Sequence, residues 1–338
     1  MIDVDLSTKY LGLNLRNPLV LAASPLTATL SRLEQFAAAG VGAAVLTSIF
    51  EEQIREDPLS QLVPGLESAS ERLGQPMYAF RELGSFHAGI DSYLRQVEQA
   101  KNGSSIPIIG SINGSMSGDW VRFARLIQDA GADALELNIY FVPIDPECSS
   151  HQVEQQYIDL VAAVRAEIRI PLAVKVGPFF SSLPYIARRI LAAGADGLVL
   201  FNRYLQPDID LDTNEVVPHL VLSNRDESRL PIRWIGILRN QTTASLAATG
   251  GIQTAGDVLK AVLAGADVVM VASAFIRRGP SLVPEILDAL SVLLQQKRVQ
   301  TLSEVRGIAS HHRCANPAAF ERANYAKTLA SFHDSSGN

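Results

Sequence analysis

A chain of 338 residues with 47% hydrophobic and 19% charged positions has the material for a sizeable core and is too apolar for wholesale disorder. A net charge of −6, with no basic cluster interleaved with aromatics, excludes nucleic acid as the expected partner. Two cysteines, Cys148 and Cys314, cannot build a disulfide framework, a four-cysteine zinc site or an iron–sulfur cluster.

Strand-like apolar runs recur along the chain at 18–22, 43–47, 107–112, 134–139, 172–176, 197–201, 245–248 and 268–271. Amphipathic helical patterns fall between them at 30–39, 120–130, 158–168, 184–193 and 255–263. Several of these strands follow an Ala-Gly pair, at Gly40, Gly131, Gly194 and Gly265. Such a glycine supplies the left-handed cap that ends a helix before the chain turns into a strand. Eight such units predict an α/β fold, a (β/α)8 TIM barrel rather than an open doubly wound sheet. The barrel is expected to occupy residues 1–300, and 301–338 to form a tail packed on it. A helix is expected at 317–330 and a frayed end beyond it. Insertions at 51–92 and 203–227 follow the second and sixth strands, on the face where barrel enzymes carry their sites.

The N-terminus has neither the basic nor the apolar region of a signal peptide, and every apolar run is broken before transmembrane length. Together with the sparse cysteines this predicts a cytoplasmic protein with no membrane partner.

Two turns near the end of the barrel carry the strongest signal. Gly250-Gly251 follows the seventh strand, and Ala272-Ser273 follows the eighth. Barrels of this kind hold phosphate groups between those two loops, where small residues let the backbone approach the anion. At the ends of the middle strands stand Asn113, Asn138, Lys175 and Asn202. A lysine inside the apolar run Ala173-Val174-Lys175-Val176 is costly unless its charge is paired or used. Several asparagines on one barrel face suit a ligand with many polar edges.

This combination resembles the dihydroorotate dehydrogenase family of FMN-dependent barrels, over residues 11 to about 280. The opening is similar, with Gly12-Leu13, Asn17-Pro18 and Ala22-Ala23-Ser24, where the family runs beside the flavin. The resemblance implies FMN as cofactor, with its phosphate at Gly250, Gly251, Ala272, Ser273 and Ser223. It also implies flavin contacts at Ala22, Ala23, Asn113 and Asn138, and Lys175 beside the flavin as a fixed positive charge. Asn138, Asn202 and Ser48 would face the substrate, a small planar molecule oxidised or reduced across a CH–CH bond, and the soluble members imply a homodimer. Dihydroorotate is the family's default, which would place the protein in pyrimidine biosynthesis.

Three departures alter the substrate half. The family places Asn-x-Ser-Cys-Pro-Asn, or Ser in place of the Cys, after the fourth strand, and that Cys or Ser is the catalytic base. Here the segment is Asn138-Ile139-Tyr140-Phe141-Val142-Pro143, and a phenyl ring cannot take a proton. Thr47-Ser48-Ile49 stands where the family has a lysine, and Leu73-Gly74-Gln75-Pro76 has no match to the expected Asn-x-x-Gly. Weak or absent dihydroorotate oxidation is therefore expected.

Two other residues are candidates for the proton chemistry. Tyr140 is suited to act as an acid, and Cys148 could pair with His151 if its loop folds back. No metal site is expected: Asp210 and Asp212 have calcium-like spacing but belong to a solvated acidic loop, and His311 and His312 read as solvated. Two rival readings remain open. One is a flavin-free phosphate-binding barrel in which Lys175 forms a Schiff base. The other is a module that holds flavin or phosphate without turnover.

Overall fold

The structure, a computed structural model, describes residues 4–56, 89–115, 117–321 and 325. The chain opens with a short hairpin, β1 (Thr8–Tyr10) and β2 (Leu13–Leu15), and then enters β3 (Leu19–Leu21), α1 (Leu30–Ala39) and β4 (Ala43–Val45). Next come β5 (Ile49–Phe50), α2 (Glu51–Glu56), α3 (Ile90–Gly103), β6 (Ile108–Gly114), α4 (Phe123–Asp129), β7 (Ala134–Ile139) and α5 (Ser150–Glu167). They are followed by β8 (Leu172–Val176), α6 (Leu183–Ala192) and β9 (Gly197–Leu200). A surface hairpin, β10 (Asp208–Ile209) and β11 (Val216–Val217), precedes α7 (Arg229–Leu238). The last elements are β12 (Ser245–Thr249), α8 (Ala255–Ala264), β13 (Val268–Val271), α9 (Ser273–Arg278), α10 (Leu282–Gln296) and α11 (Leu302–Val305).

Eight parallel strands, β3, β4, β6, β7, β8, β9, β12 and β13, close into a barrel. β5 extends the second stave after a break and pairs with the upper half of β6. This is the predicted TIM barrel. The four predicted capping glycines sit at φ between +97° and +125°, in the region side chains avoid.

Alternation along the strands sorts the core into two compartments. Val20, Val45, Ile109, Ala134, Ala173, Val199, Ala247 and Met270 pack inside the barrel. Their neighbours, such as Leu21, Leu135, Val174, Leu198 and Val269, face the helices. Three of these inward residues are alanines, which leaves room to be filled at the lower end. The β1–β2 hairpin does this, with Tyr10, Leu11 and Leu15 buried against the inward set. The Leu11 amide donates to Ser245 Oγ at 2.8 Å, at the start of β12, which fixes the plug at the N-terminal end of the staves. Asp267 holds the same end, accepting from Arg239 at 2.6 Å and Arg306 at 2.8 Å. The sequence pattern does not announce this hairpin, because three-residue strands are too short to show a period.

Three boundaries differ from expectation. The helix expected at 158–168 starts eight residues earlier, because Ser149 and Gln152 form a capping box. The expected tail helix at 317–330 begins as a single 3-10 turn, Pro317–Phe320, and most of the chain after it lies outside the described residues. The insertion expected at 51–92 contributes α2 and the start of α3, and the rest, including Leu73-Gly74-Gln75-Pro76, lies outside the described residues. The Gly307 and Ala309 amides donate to the Val262 and Leu263 carbonyls, which ties the chain after α11 to α8. No described helix is long and apolar enough to cross a membrane.

Candidate functional site

Continuing the inward alternation to the C-terminal ends of β6, β7 and β8 replaces isoleucine and alanine with polar side chains. Strand register sets Asn113 beside Asn138, and Asn138 beside Lys175, in one layer. One layer down, Ser111 lies beside Glu136. The predicted residues Asn113, Asn138 and Lys175 therefore meet at the barrel mouth.

Lys175 Nζ lies 3.4 Å from Glu136 Oε1, and both side chains are buried, at 11% and 1% exposure. This answers the question a lysine in an apolar strand raises: its charge is balanced inside the barrel. Glu136 Oε2 has no hydrogen-bond partner among the described residues. The pair is thus under-coordinated, and an interior ion pair of this kind is weak evidence for stability by itself. It is a charged platform set beneath the mouth.

The second stave contributes hydroxyls. Ser48 Oγ lies 2.7 Å from Ser111 Oγ. Ser111 is gripped from outside by Tyr93, whose hydroxyl accepts from the Ser111 amide and donates to its carbonyl. Burial pushes the Tyr93 phenol far above its ordinary value, so it stays a donor. Ala22 is buried and its amide donates to the Val271 carbonyl at 3.1 Å, while Ala23 is half-buried.

The two late turns are joined by Ser223, which the long insertion before α7 carries inward. Its hydroxyl accepts from the Gly251 amide at 3.3 Å, and its amide donates to Ser273 Oγ at 3.1 Å. Arg277 clamps the Ser223 carbonyl at 2.9 Å. Gly251, at φ +72°, is pressed so close to the Asn224–Ser228 backbone that a Cβ would come within 2.4 Å of the Ser228 nitrogen. Gly250, at φ +95°, has open space where its Cβ would stand. The helix that follows Gly250-Gly251 is already capped: Thr254 Oγ1 accepts from the Asp257 amide, and the Asp257 carboxylate accepts from the Gln253 and Thr254 amides. An anion at that helix start would meet a carboxylate. The unclaimed first-turn amides belong instead to α9, which begins at Ser273 with no side-chain cap.

Across the mouth, a cleft of about 210 Å³ opens over the ends of β7, β8 and β9. Tyr140, Phe141, Tyr157, Phe179, Phe180 and Tyr204 line it, together with Asn202. Phe179 and Tyr204 meet edge to face at 5.0 Å, Tyr157 and Phe180 at 5.2 Å, and Tyr140 lies 6.1 Å from Tyr204. Asn202 donates to Asn138 Oδ1 and, at 3.1 Å, to the Ile139 carbonyl. Desolvation raises the Tyr140 phenol above its ordinary value, against a hydrogen bond from Leu205 that lowers it. The aromatic members Tyr157, Phe179, Phe180 and Tyr204 were not singled out from the sequence. The signal available was Phe179-Phe180 directly after a strand end, where a chain has little reason to expose two phenyl rings.

The structure does not bring Cys148 to this site. Its sulfur faces the Ser149 carbonyl at 4.0 Å, and His151 lies exposed in the first turn of α5. The Ser149 capping box ties the loop to the helix start, so the folding back that would form a Cys148–His151 pair is not seen. Asp210 spends an oxygen on the Asp212 and Thr213 amides, as a turn residue does. His311 Nε2 pairs with Glu321 at 2.8 Å. Among the described residues no group of His, Cys, Asp or Glu is arranged to hold a metal ion.

Comparison with known proteins adds an independent view. The family model described as dihydroorotate dehydrogenase matches residues 5–294. A protein of Thermoplasma acidophilum, dihydroorotate dehydrogenase B (NAD(+)), catalytic subunit, is 26% identical over 90% of this chain and 99% of its own length. Its namesake in Methanocaldococcus jannaschii is also 26% identical, over 90% of this chain and 98% of its own. The crystal structure of DHODH in complex with ferulenol from Eimeria tenella superposes with a TM-score of 0.65 at 20% identity, covering 93% of this chain and 90% of that one. That superposition supports the fold.

Proposed function

The chain belongs to the dihydroorotate dehydrogenase family, and from that premise we propose that it is an FMN-dependent oxidoreductase acting across a CH–CH bond of a small planar substrate. One observation carries the reading. The polar layer Asn113–Asn138–Lys175 and the Ser223-linked turns at Gly250-Gly251 and Ala272-Ser273 stand at one barrel mouth. The first suits a ring with polar edges and the second suits a phosphate.

The residues fit the cofactor. Gly250 leaves open backbone, Ser273 begins an uncapped helix, and Lys175 brings the interior cation. FMN would supply the hydride acceptor or donor. The chain's own tasks are then to orient the ring through Asn113 and Asn138, to oppose negative charge on it with Lys175, and to keep water from the bound substrate with the aromatic wall. Of the three phenols that line the cleft, Tyr140 is the one beside Phe141. Its raised pKa keeps it protonated through neutral pH, which makes it an acid.

A second reading is favoured by Phe141. The base position of the family holds a phenyl ring that lines the cleft, so the flavin side is kept while the substrate differs from dihydroorotate. An anaerobic visible spectrum of the purified protein, before and after addition of dihydroorotate, tests both readings. Flavin bands that persist are expected. Bands that bleach would establish dihydroorotate oxidation with another base. A colourless protein that binds sugar phosphates would overturn the flavin reading in favour of a Schiff-base role for Lys175.

A further inference from the structure

Chemical selection at the mouth is legible in what the cleft lacks. Among the described residues lining it there is no Lys, Arg, Asp or Glu. Of the cations near it, Lys175 lies beneath the mouth paired with Glu136, and Arg203 is paired with Glu227 at 3.6 Å. The walls are rings. Phe179 is 71% exposed and Tyr204 40% exposed, an apolar surface that gains from being covered. At the inner end stands Asn202, held by its bonds to Asn138 Oδ1 and the Ile139 carbonyl, which leave its Oδ1 acceptor outside that pair.

A carboxylate entering this cleft would shed water and find no cation among the described lining residues to replace it. A neutral ring would stack on Phe179 and Tyr204 and present one polar edge to the asparagines. An apolar cavity of about 150 Å³ takes a benzene ring, so about 210 Å³ suits a substituted single ring or a small fused one. We infer that the substrate is an uncharged, planar, conjugated molecule of one or two rings, bound between the aromatic wall and the Asn138–Asn202 pair, and that the cleft discriminates against anionic carboxylates. This rests on the oxidoreductase reading for the reaction, while the selection itself concerns the cleft alone.

The test uses a pair of equal shape and different charge, trans-cinnamamide and trans-cinnamate, titrated calorimetrically into the full-length protein as purified. The neutral amide is expected to bind at least about tenfold more tightly than the anion. Phe179→Ala and Tyr204→Ala should each weaken the amide by about threefold to tenfold, the loss of one stacking partner. The inference is overturned if the anion binds as well as the amide, if orotate outbinds the amide, if neither probe binds, or if both variants leave the amide unchanged. The visible spectrum of the same preparation keeps the two readings apart. A colourless protein that still prefers the amide removes the flavin reading and leaves the cleft; a yellow protein without the preference does the reverse.

Discussion

Around Ser223 the barrel mouth is held together by backbone amides, hydroxyls and glycines, each tied to a second group. Across the barrel, around Tyr140, the wall is made of side-chain rings that touch each other at 5–6 Å and share few hydrogen bonds. The first side is set by main-chain geometry, where a change of residue must move the backbone. The second is set by which ring stands at each strand end, and rings can be exchanged without disturbing the staves. Under the proposed function, a mouth built this way keeps its cofactor side through long divergence while its substrate side is free to be rebuilt.

The largest expected effect breaks the charged platform between the two sides. Lys175→Met strands the buried Glu136 carboxylate and should destabilise the fold by about 3–5 kcal/mol. Adding Glu136→Gln removes the stranded charge, and the double variant should recover most of that loss. Urea unfolding of the wild type, the single variant and the double variant measures it. Single and double variants of equal stability would mean that the pair is not a coupled interior charge pair.

The next effect contrasts two neighbours on the Ser223 side of the mouth. Gly251→Ala forces a Cβ toward main-chain atoms at 2.4–2.7 Å, at a positive φ, and should cost about 1–3 kcal/mol. Gly250→Ala meets open space and should cost only the left-handed backbone penalty, about 1–2 kcal/mol. If Gly250 faces a bound phosphate, its alanine variant should retain much less flavin for its modest loss of stability. Thermal unfolding and the flavin content of each purified variant separate the two contributions. Equal stability losses would show that the main chain around Gly251 yields more easily than its packing implies.

The same contrast explains what could be read in advance. Gly250, Gly251, Lys175 and the three asparagines were legible because each is a costly or unusual choice in its place: glycine after a strand, a cation in an apolar run, amides at strand ends. The Lys175–Glu136 pairing was not, because it depends on lateral strand register, which sequence spacing does not give. Nor was the aromatic wall, since Phe179, Phe180 and Tyr204 come from two separate loops and become one surface only when β8 and β9 lie side by side. The β1–β2 plug escaped for want of length. Cys148 was a reasonable candidate on composition and fails on a local detail, the capping box that starts α5 at Ser150.

The smallest effect probes the support beneath the glycine turn. Burial of Asp257 opposes its charge, yet hydrogen bonds from Arg225, Thr254 and Gln253 outweigh that and hold its carboxyl below the ordinary aspartate value. A carboxylate depressed in the folded state adds stability that is fully present above its unfolded pKa, near pH 4, and is lost as pH falls through the folded value. Asp257→Asn keeps an acceptor for the cap but loses the ion pair with Arg225 at 2.7 Å. It should cost about 1 kcal/mol at neutral pH, and the gap to wild type should close as the pH drops below about 4. Denaturant midpoints at several pH values read this directly. A gap that stays constant into acid would mean that the side chain acts by shape rather than charge. The Thr249–Gln253 turn would then be anchored by its glycines and Ser223 alone.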